Sequence, residues 1–532
     1  MILPIIKKEL KTGKSFRVPE KITYSYDSDL SEGRLGAEAF GSFTAGAIGV
    51  EKGGFVSFEF DGGLEDIAEI YRVAVSTSGI KIGFKDARGA VNGAVTAALL
   101  LRKGTLEECE IVDYPSCEYR SVMLDMARGL PTWEDIEYAV KYMALAKFNR
   151  LHLHLIDSCG PCFISEAVPE YAFTGNGGQC DKDLLRRIDK LCESYAIEIV
   201  PEIEVPAHGN ALCEAHPEFK CEVEDAHSWA ICPGSEGVLD FFRKLIGEVV
   251  EVFPRSEYLH IGTDELEFRD LKPQRLCHWD ECPRCAALRE REGLADRQEE
   301  FYYLINKLYE IVRSFGKKMM MWNDQIDVSR DDVPVSREIL MEFWRIAGRG
   351  RGPHDGCTFE KLLEKGFRVV NAYYPYTYFD LDVYTSDEKL KTWTPFTAPE
   401  QSERYASQII GGETCAWEYG NYGEYPFYSY ATPFVVALFG DKLWGLGERE
   451  YDDEYKSALS EMIFGDASYV DFFDHIGGLM PPRTKDKLTY RASEELSAEV
   501  LRDCISRLEV NATSPAAGRC ARLLEKILSQ IG

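Results

Sequence analysis

Arg150-Leu151-His152-Leu153-His154-Leu155-Ile156-Asp157 reads as a buried strand, apolar for most of its length and ending on His154 and Asp157, side chains that carry chemistry. Seven more runs of this kind follow the same rule, at residues 122–126, 198–204, 258–263, 318–323, 339–343, 368–373 and 408–413. Helical patterns fall between them, clearest at 133–145, 184–195, 237–252 and 299–315. Eight buried strands alternating with helices over about 330 residues predict a parallel α/β fold, most simply a (β/α)8 TIM barrel. A doubly wound sheet fits the alternation almost as well. The barrel is preferred because polar residues stand at the C-terminal ends of nearly all eight strands, whereas a doubly wound sheet gathers them near one switch point.

The flanks read differently. Residues 1–115 mix alternating strands with glycine turns. Tyr71-Arg72-Val73-Ala74-Val75-Ser76, Gly79 and Ile80-Lys81-Ile82-Gly83-Phe84 form a hairpin, and 89–101 is an Ala- and Leu-rich helix. This predicts a small N-terminal α+β accessory domain, with the catalytic barrel at 116–448. Residues 449–532 lose tryptophan and turn helical, a C-terminal region expected to cap the barrel or to form a homo-oligomer contact.

Composition limits the partners. The 532 residues hold 61 Lys and Arg against 89 Asp and Glu, a formal net charge of −28. A surface that negative repels phosphate backbones and anionic lipid, so neither nucleic acid nor membrane is the expected partner. The opening residues, Met1-Ile2-Leu3-Pro4-Ile5-Ile6-Lys7-Lys8, place charge after the apolar stretch, the reverse of a secretory signal. A cytoplasmic location, with the sixteen cysteines reduced, is the expectation.

In a barrel the strand-end residues converge on one face. They are Arg120 and Asp125 with Arg128; His154 and Asp157; Glu202, Glu204 and His208; His260, Asp264 and Glu265; Trp322 and Asp324; Glu342 and Trp344; Tyr378 and Asp380; and Glu413, Trp417 and Glu418. Carboxylates that accept from hydroxyls, beside indoles that pack on a ring's C–H face, suit a sugar. The sharpest element is His260-Ile261-Gly262-Thr263-Asp264-Glu265. Neighbouring side chains of a regular strand face opposite ways, so two adjacent carboxylates share a site only where the strand ends and turns. There an ionised Asp264 disfavours a second charge on Glu265, as a general acid requires. Solvated loop charges are the plainer reading of an Asp-Glu pair.

Several stretches, in this order, resemble the β-N-acetylhexosaminidases of glycoside hydrolase family 20. They are Tyr119-Arg120 with Leu124-Asp125-Met126-Ala127-Arg128, Lys147 to Asp157, Pro201 to His208, His260 to Glu265, Tyr378-Phe379-Asp380, and Gly411-Gly412-Glu413 leading to Trp417. The resemblance implies removal of terminal non-reducing β-linked N-acetylhexosamine from a glycan or glycoconjugate, with no cofactor. In this family the substrate itself assists. Glu265 then protonates the glycosidic oxygen, Asp264 holds the 2-acetamido N–H, and Tyr378 orients the acetamido oxygen that attacks the anomeric carbon to give an oxazoline. The resemblance further implies that Arg120 and Asp380 bind ring hydroxyls, that Trp322, Trp344 and Trp417 wall the acetamido pocket, that Trp393 stacks on the sugar or leaving group, and that Asp157 and His208 support the acid. Arg128 and Asp125 are read as structural, tying adjacent strand ends.

The chain departs from the family at Ser158 and Gly160-Pro161, at Thr263 where glycine is usual, and at Glu418, which follows Trp417 directly. Either Glu418 or Glu424 then reads O3 and O4, which leaves gluco against galacto preference open. Two other readings stand beside the glycosidase. One is a sugar-binding protein on a decayed scaffold, against which the intact Asp264, Glu265 and Tyr378 set argues. The other is a metal-dependent hydrolase built on His154, Asp157, His208 and Asp264, which a chelator would inactivate. Cys277, Cys282 and Cys285, with Cys232 or His278 as a fourth ligand, have spacing that suits a structural zinc; three reduced thiols in a loop is the preferred reading.

Overall fold

A closed barrel of eight parallel strands lies in the middle of the chain. The computed structural model describes residues 1–175, 178–266, 276–346, 357–378, 393–397, 403–417, 431–446, 450, 452–470, 497–510 and 514–531. In chain order the barrel strands are Tyr119–Asp125, Arg150–His154, Glu198–Glu202, Tyr258–His260, Lys318–Trp322, Leu340–Phe343, Val369–Asn371 and Ile409–Ala416. All eight fall where the apolar runs predict them. The helices Trp133–Leu145, Lys182–Glu193, Val238–Val252 and Arg297–Ser314 fall between. Thr132, Asp181 and Asp296 cap three of them by accepting a backbone N–H three residues on.

Closure depends on one glycine. Gly411 has φ +154, and a Cβ there would lie 1.7 Å from the carbonyl oxygen of Tyr119. No other residue lets the eighth strand pair with the first at that point.

The barrel interior is layered. The lowest layer is apolar and includes Tyr119, Val200, Tyr258 and Met320. The uppermost holds Met123, Trp322, Tyr378, Cys415 and Trp417. Between them sit His152, Glu202, His260, Glu342 and Glu413, each fully buried. His152 Nδ1 lies 2.8 Å from Glu413, and His260 Nδ1 lies 3.1 Å from Glu202. Burial opposes charge on His152, but Glu413 and Glu202 overcome it and raise its pKa to about 9. Burial, with Glu413 beside it, holds Glu342 protonated. His152 thus answers Glu413, and Glu202 is answered by His154.

The N-terminal region forms a seven-stranded sheet. The predicted hairpin is present, Tyr71–Ser76 pairing antiparallel with Gly79–Phe84 and Val73 lying opposite Ile82. The helix Ala87–Leu101 is buried on nearly every side because it lies between this sheet and the barrel helix Trp133–Leu145. Helix Ala431–Gly445 packs on that same barrel helix, and the paired helices Ala498–Val510 and Pro515–Ile531 dock alongside, with Arg519 bonded to Asp135.

Sheet, barrel and C-terminal helices meet beneath the barrel. Arg120 donates to Glu69 and to the carbonyls of Lys147 and Cys117. Lys147 Nζ reaches Tyr71 Oη at 2.7 Å and Asp113 at 3.3 Å. Trp444 Nε1 donates to Asp113 at 2.9 Å, and the backbone N–H of Ile5 donates to Asp441 at 2.7 Å. Among the described residues no helix is long and apolar enough to cross a bilayer.

Candidate active site

The fourth barrel strand ends at His260, and the chain then turns sharply through Gly262, Thr263 and Glu265, all at positive φ. Gly262 is forced: a Cβ there would fall 2.1 Å from a carboxylate oxygen of Glu204. Thr263 sits at φ +87, in the region that favours glycine, and it keeps that conformation by donating its N–H to Glu204 at 3.0 Å. This turn breaks the strand alternation and brings Asp264 and Glu265 to one side, both partly exposed at the mouth.

His208 joins the two carboxylates to the strands behind them. Its Nε2 lies 3.7 Å from Asp264 and 3.8 Å from Glu265, while its Nδ1 lies 3.2 Å from Asp157. Asp157 also receives Arg128 and His154. His154 in turn places Nδ1 2.5 Å from Glu202, whose other oxygen accepts the Trp322 indole N–H at 2.7 Å. Burial works against every charge in this chain, and the neighbours outweigh it. Arg128 and His208 hold Asp157 well below the ordinary carboxylate range, and His208 lowers Asp264. Asp157 raises His208 to about 9, and Glu202 and Asp157 raise His154 to about 10. Glu204 goes the other way: burial, with Asp264 and Glu202 nearby, keeps it protonated.

Aromatic rings form the opposite wall. Tyr378 and Trp344 stack with centroids 6.2 Å apart and planes 8° from parallel, and Trp417 lies 6.0 Å from both Tyr378 and Trp322. Burial keeps the Tyr378 phenol protonated, so its hydroxyl is a donor. Asp324 links this wall to the acid turn. It accepts the Trp344 indole N–H at 3.2 Å, Arg345 at 2.6 Å and the backbone N–H of Glu265 at 3.1 Å.

Glu265, Asp264, Tyr378, Asp157, His208, Trp322, Trp344 and Trp417 thus meet at the C-terminal mouth. Asp380, Glu418 and Glu424 lie outside the described residues. Two expected contacts are corrected. Arg120 does not reach the mouth: it opens the first strand, faces outward at the opposite end of the barrel, and is fully buried on Glu69. The arginine at the mouth is Arg128, three residues past the end of that strand. It is bonded to Asp125 at 2.7 Å and to Asp157, with its guanidinium 5.2 Å from the Trp417 ring. Trp393 is likewise no sugar platform, because it is fully buried on the outer side of the eighth strand, over Gly412 and 4.7 Å from Phe439. His260, Glu342 and Glu413 belong to the layer below the mouth, being fully buried.

Trp229 was not singled out by its sequence. Its indole N–H donates to the Glu265 carbonyl at 2.9 Å, and its ring packs 4.4 Å from His208. Its place in His227-Ser228-Trp229 is the only signal that marks it.

A metal centre on His154, Asp157, His208 and Asp264 does not suit this arrangement. Among the described residues these four do not converge on one point as a ligand set; Asp157 instead stands between the two imidazoles, 3.2 Å from a nitrogen of each.

Two predictions follow from the charges. His152, His154 and His208 all have pKa values above the ordinary 6.5. Their stabilisation is complete below that value and is lost as pH rises through about 9 to about 10. The midpoint of thermal unfolding should fall steadily from pH 7 towards pH 10, as followed by calorimetry in buffers of matched ionic strength. The two arginines should also separate. Arg120→Met leaves Glu69 without its closest cation in the interior and costs roughly 3–5 kcal/mol of stability. Arg128→Lys lowers kcat/KM about 10- to 100-fold through a lost charged contact at the mouth. Equal effects of the two on Tm and on kcat/KM would contradict their placement.

The family described as "Glycosyl hydrolase family 20, catalytic domain" matches residues 117–421. A beta-hexosaminidase of Akkermansia muciniphila is 29% identical over 280 residues, covering 48% of this chain and 55% of that protein. The beta-hexosaminidase subunit beta of Mus musculus is 25% identical, covering 67% of this chain and 65% of that protein. The chain thus spans about half to two thirds of the length of these curated relatives. Among solved structures, a GH20 exo beta-N-acetylglucosaminidase from Vibrio harveyi, in complex with N-acetylglucosamine, superposes with a TM-score of 0.72 at 20% identity over 90% of this chain and 78% of that one. A beta-N-acetylhexosaminidase from Bacteroides fragilis gives 0.72 at 20% identity over 91% and 98%.

Proposed function

Because the chain belongs to glycosyl hydrolase family 20, we propose that it is a retaining exo-glycosidase that removes terminal non-reducing β-linked N-acetylhexosamine from a glycan. The observation that carries this reading is the Asp264-Glu265 turn, which faces Tyr378 and three indoles across one mouth. Glu265 has its backbone clamped from two sides, its N–H by Asp324 and its carbonyl by Trp229, so its carboxyl is aimed by rigid neighbours. It donates the proton to the departing glycosidic oxygen and later takes one from water.

The nucleophile comes with the substrate. The acetamido oxygen attacks the anomeric carbon as the glycosidic bond breaks, giving an oxazolinium ion that water opens with net retention. Asp264, kept ionised by His208, accepts the acetamido N–H and balances the positive charge that grows on that group. The Tyr378 hydroxyl, kept protonated beside Trp344 and Trp417, donates to the acetamido oxygen and fixes its approach. Arg128, held on Asp125 and Asp157 at the rim, is placed to donate to ring hydroxyls.

A chromogenic panel of β-GlcNAc, β-GalNAc, their 6-sulfates and β-Glc tests the proposal. Cleavage confined to the 2-acetamido sugars is the expected result. Hydrolysis of β-glucosides at a comparable rate would remove the substrate's own nucleophile from the mechanism.

A further inference from the structure

Four cysteine sulfurs meet in a buried cluster outside the active site, those of Cys221, Cys232, Cys282 and Cys285, all within 4.8 Å of one another. Cys232 Sγ stands 3.7 Å from Cys282 Sγ and 3.5 Å from Cys285 Sγ. Sulfurs bound at about 2.3 Å around a tetrahedral ion lie about 3.8 Å apart, whereas a disulfide draws them to about 2.0 Å. The observed spacing is therefore that of a tetrahedron's edges, and all four residues are free thiols. Sequence pointed to Cys277 as a member. Cys282 and Cys285 are joined by Cys232, one of the two expected fourth ligands, and by Cys221 in place of Cys277; Cys277 and His278 lie outside the group.

The four residues come from two loops. Cys221 and Cys232 lie in the long connection after the third barrel strand, and Cys282 and Cys285 lie in the connection after the fourth. Cys282 caps the ten-residue helix Pro283–Glu292 and Cys285 sits in its first turn, so two sulfurs share one side of a helix N-terminus, where backbone N–H groups favour thiolate. The loops are knitted around the cluster. Trp279 Nε1 donates to the Ile231 carbonyl at 2.8 Å, the Cys232 N–H donates to the Phe219 carbonyl at 2.7 Å, and Arg284 donates to the carbonyls of Glu218 and Lys220.

We propose that these four thiolates bind one zinc ion, which staples the third-strand loop to the fourth-strand loop. Soft sulfur donors in a closed tetrahedral set, with no open position, select zinc in a structural role. The stapled loops are those that form the acid turn's surroundings: Trp229, three residues before Cys232, bonds the Glu265 carbonyl. The ion thus supports the site from behind and takes no part in the bond-breaking step.

The test uses the full chain, purified after growth with added zinc and dialysed free of loosely held metal. Elemental analysis should find about one zinc per chain. Cys221→Ser and Cys282→Ser should each lose it, and Cys277→Ser should keep it. If the ligand variants fail to fold, the unaltered protein decides. Four thiols should resist alkylation until zinc is stripped in denaturant, and cobalt in its place should show the thiolate-to-metal absorption of a tetrahedral sulfur site. Unaltered protein without zinc, full zinc retention by both ligand variants, or all thiols alkylating at once in the native state would each overturn the assignment.

Discussion

Glu265→Gln is expected to lower turnover of N-acetyl-β-glucosaminides with sugar or alkyl leaving groups by roughly 10²- to 10⁴-fold, the usual worth of a positioned general acid. Glutamine keeps the size of the side chain and leaves the backbone clamps from Trp229 and Asp324 in place, since these engage only main-chain atoms. The fold and KM should therefore change little. The loss should shrink for aryl glycosides whose leaving group departs without a proton, where deglycosylation alone needs the residue. Stopped and steady-state rates over a series of leaving-group pKa values supply the check. A steep dependence must appear in the variant; a uniform loss across the series would show that Glu265 is not the proton donor.

Asp264→Asn should cost roughly 10²- to 10³-fold in kcat, on good and poor leaving groups alike. Asp264 is ionised in a place where burial opposes charge, because His208 stands 3.7 Å from it and carries the opposite sign. Asparagine matches its shape and loses only that charge, so the developing positive charge on the acetamido group goes unbalanced. Because this acts on the nucleophile rather than on the departing oxygen, leaving-group quality cannot rescue it. Parallel measurements on aryl and disaccharide substrates distinguish the two carboxylates. Near-normal activity of the asparagine variant on both would end the assigned role of Asp264.

The barrel was readable because each strand is a short apolar run with a polar end, and its length separates such runs from the longer amphipathic helices between them. The Asp264-Glu265 turn was readable for the same reason: two adjacent carboxylates can act together only off the end of a strand. Depth within the barrel was not readable. His260, Glu342 and Glu413 have the inward parity of site residues but lie one layer lower, and parity says nothing about height. Arg120 and Arg128 flank one strand, eight residues apart, and the resemblance alone favoured the first. The rule that barrel sites lie at C-terminal strand ends favours the second. Trp393 shows that an indole near the right motif can be core. Cys221 was missed because two of its partners, Cys282 and Cys285, lie in another loop, and a contact between loops leaves no spacing to read.

The junction beneath the barrel bears on how this chain can be divided. Arg120 and Lys147 belong to the barrel, yet their counter-charges, Glu69 and Asp113, come from the preceding sheet, and Trp444 closes the same knot from the far end. A fragment trimmed to the matched span of residues 117–421 would keep both cations and lose every anion that answers them. Such an excised barrel exposes both cations, and the apolar surface around them, to water without the partners that hold them in place. The sheet is therefore less an appendage than a piece of the enzyme's foundation, and the three regions should melt in one transition.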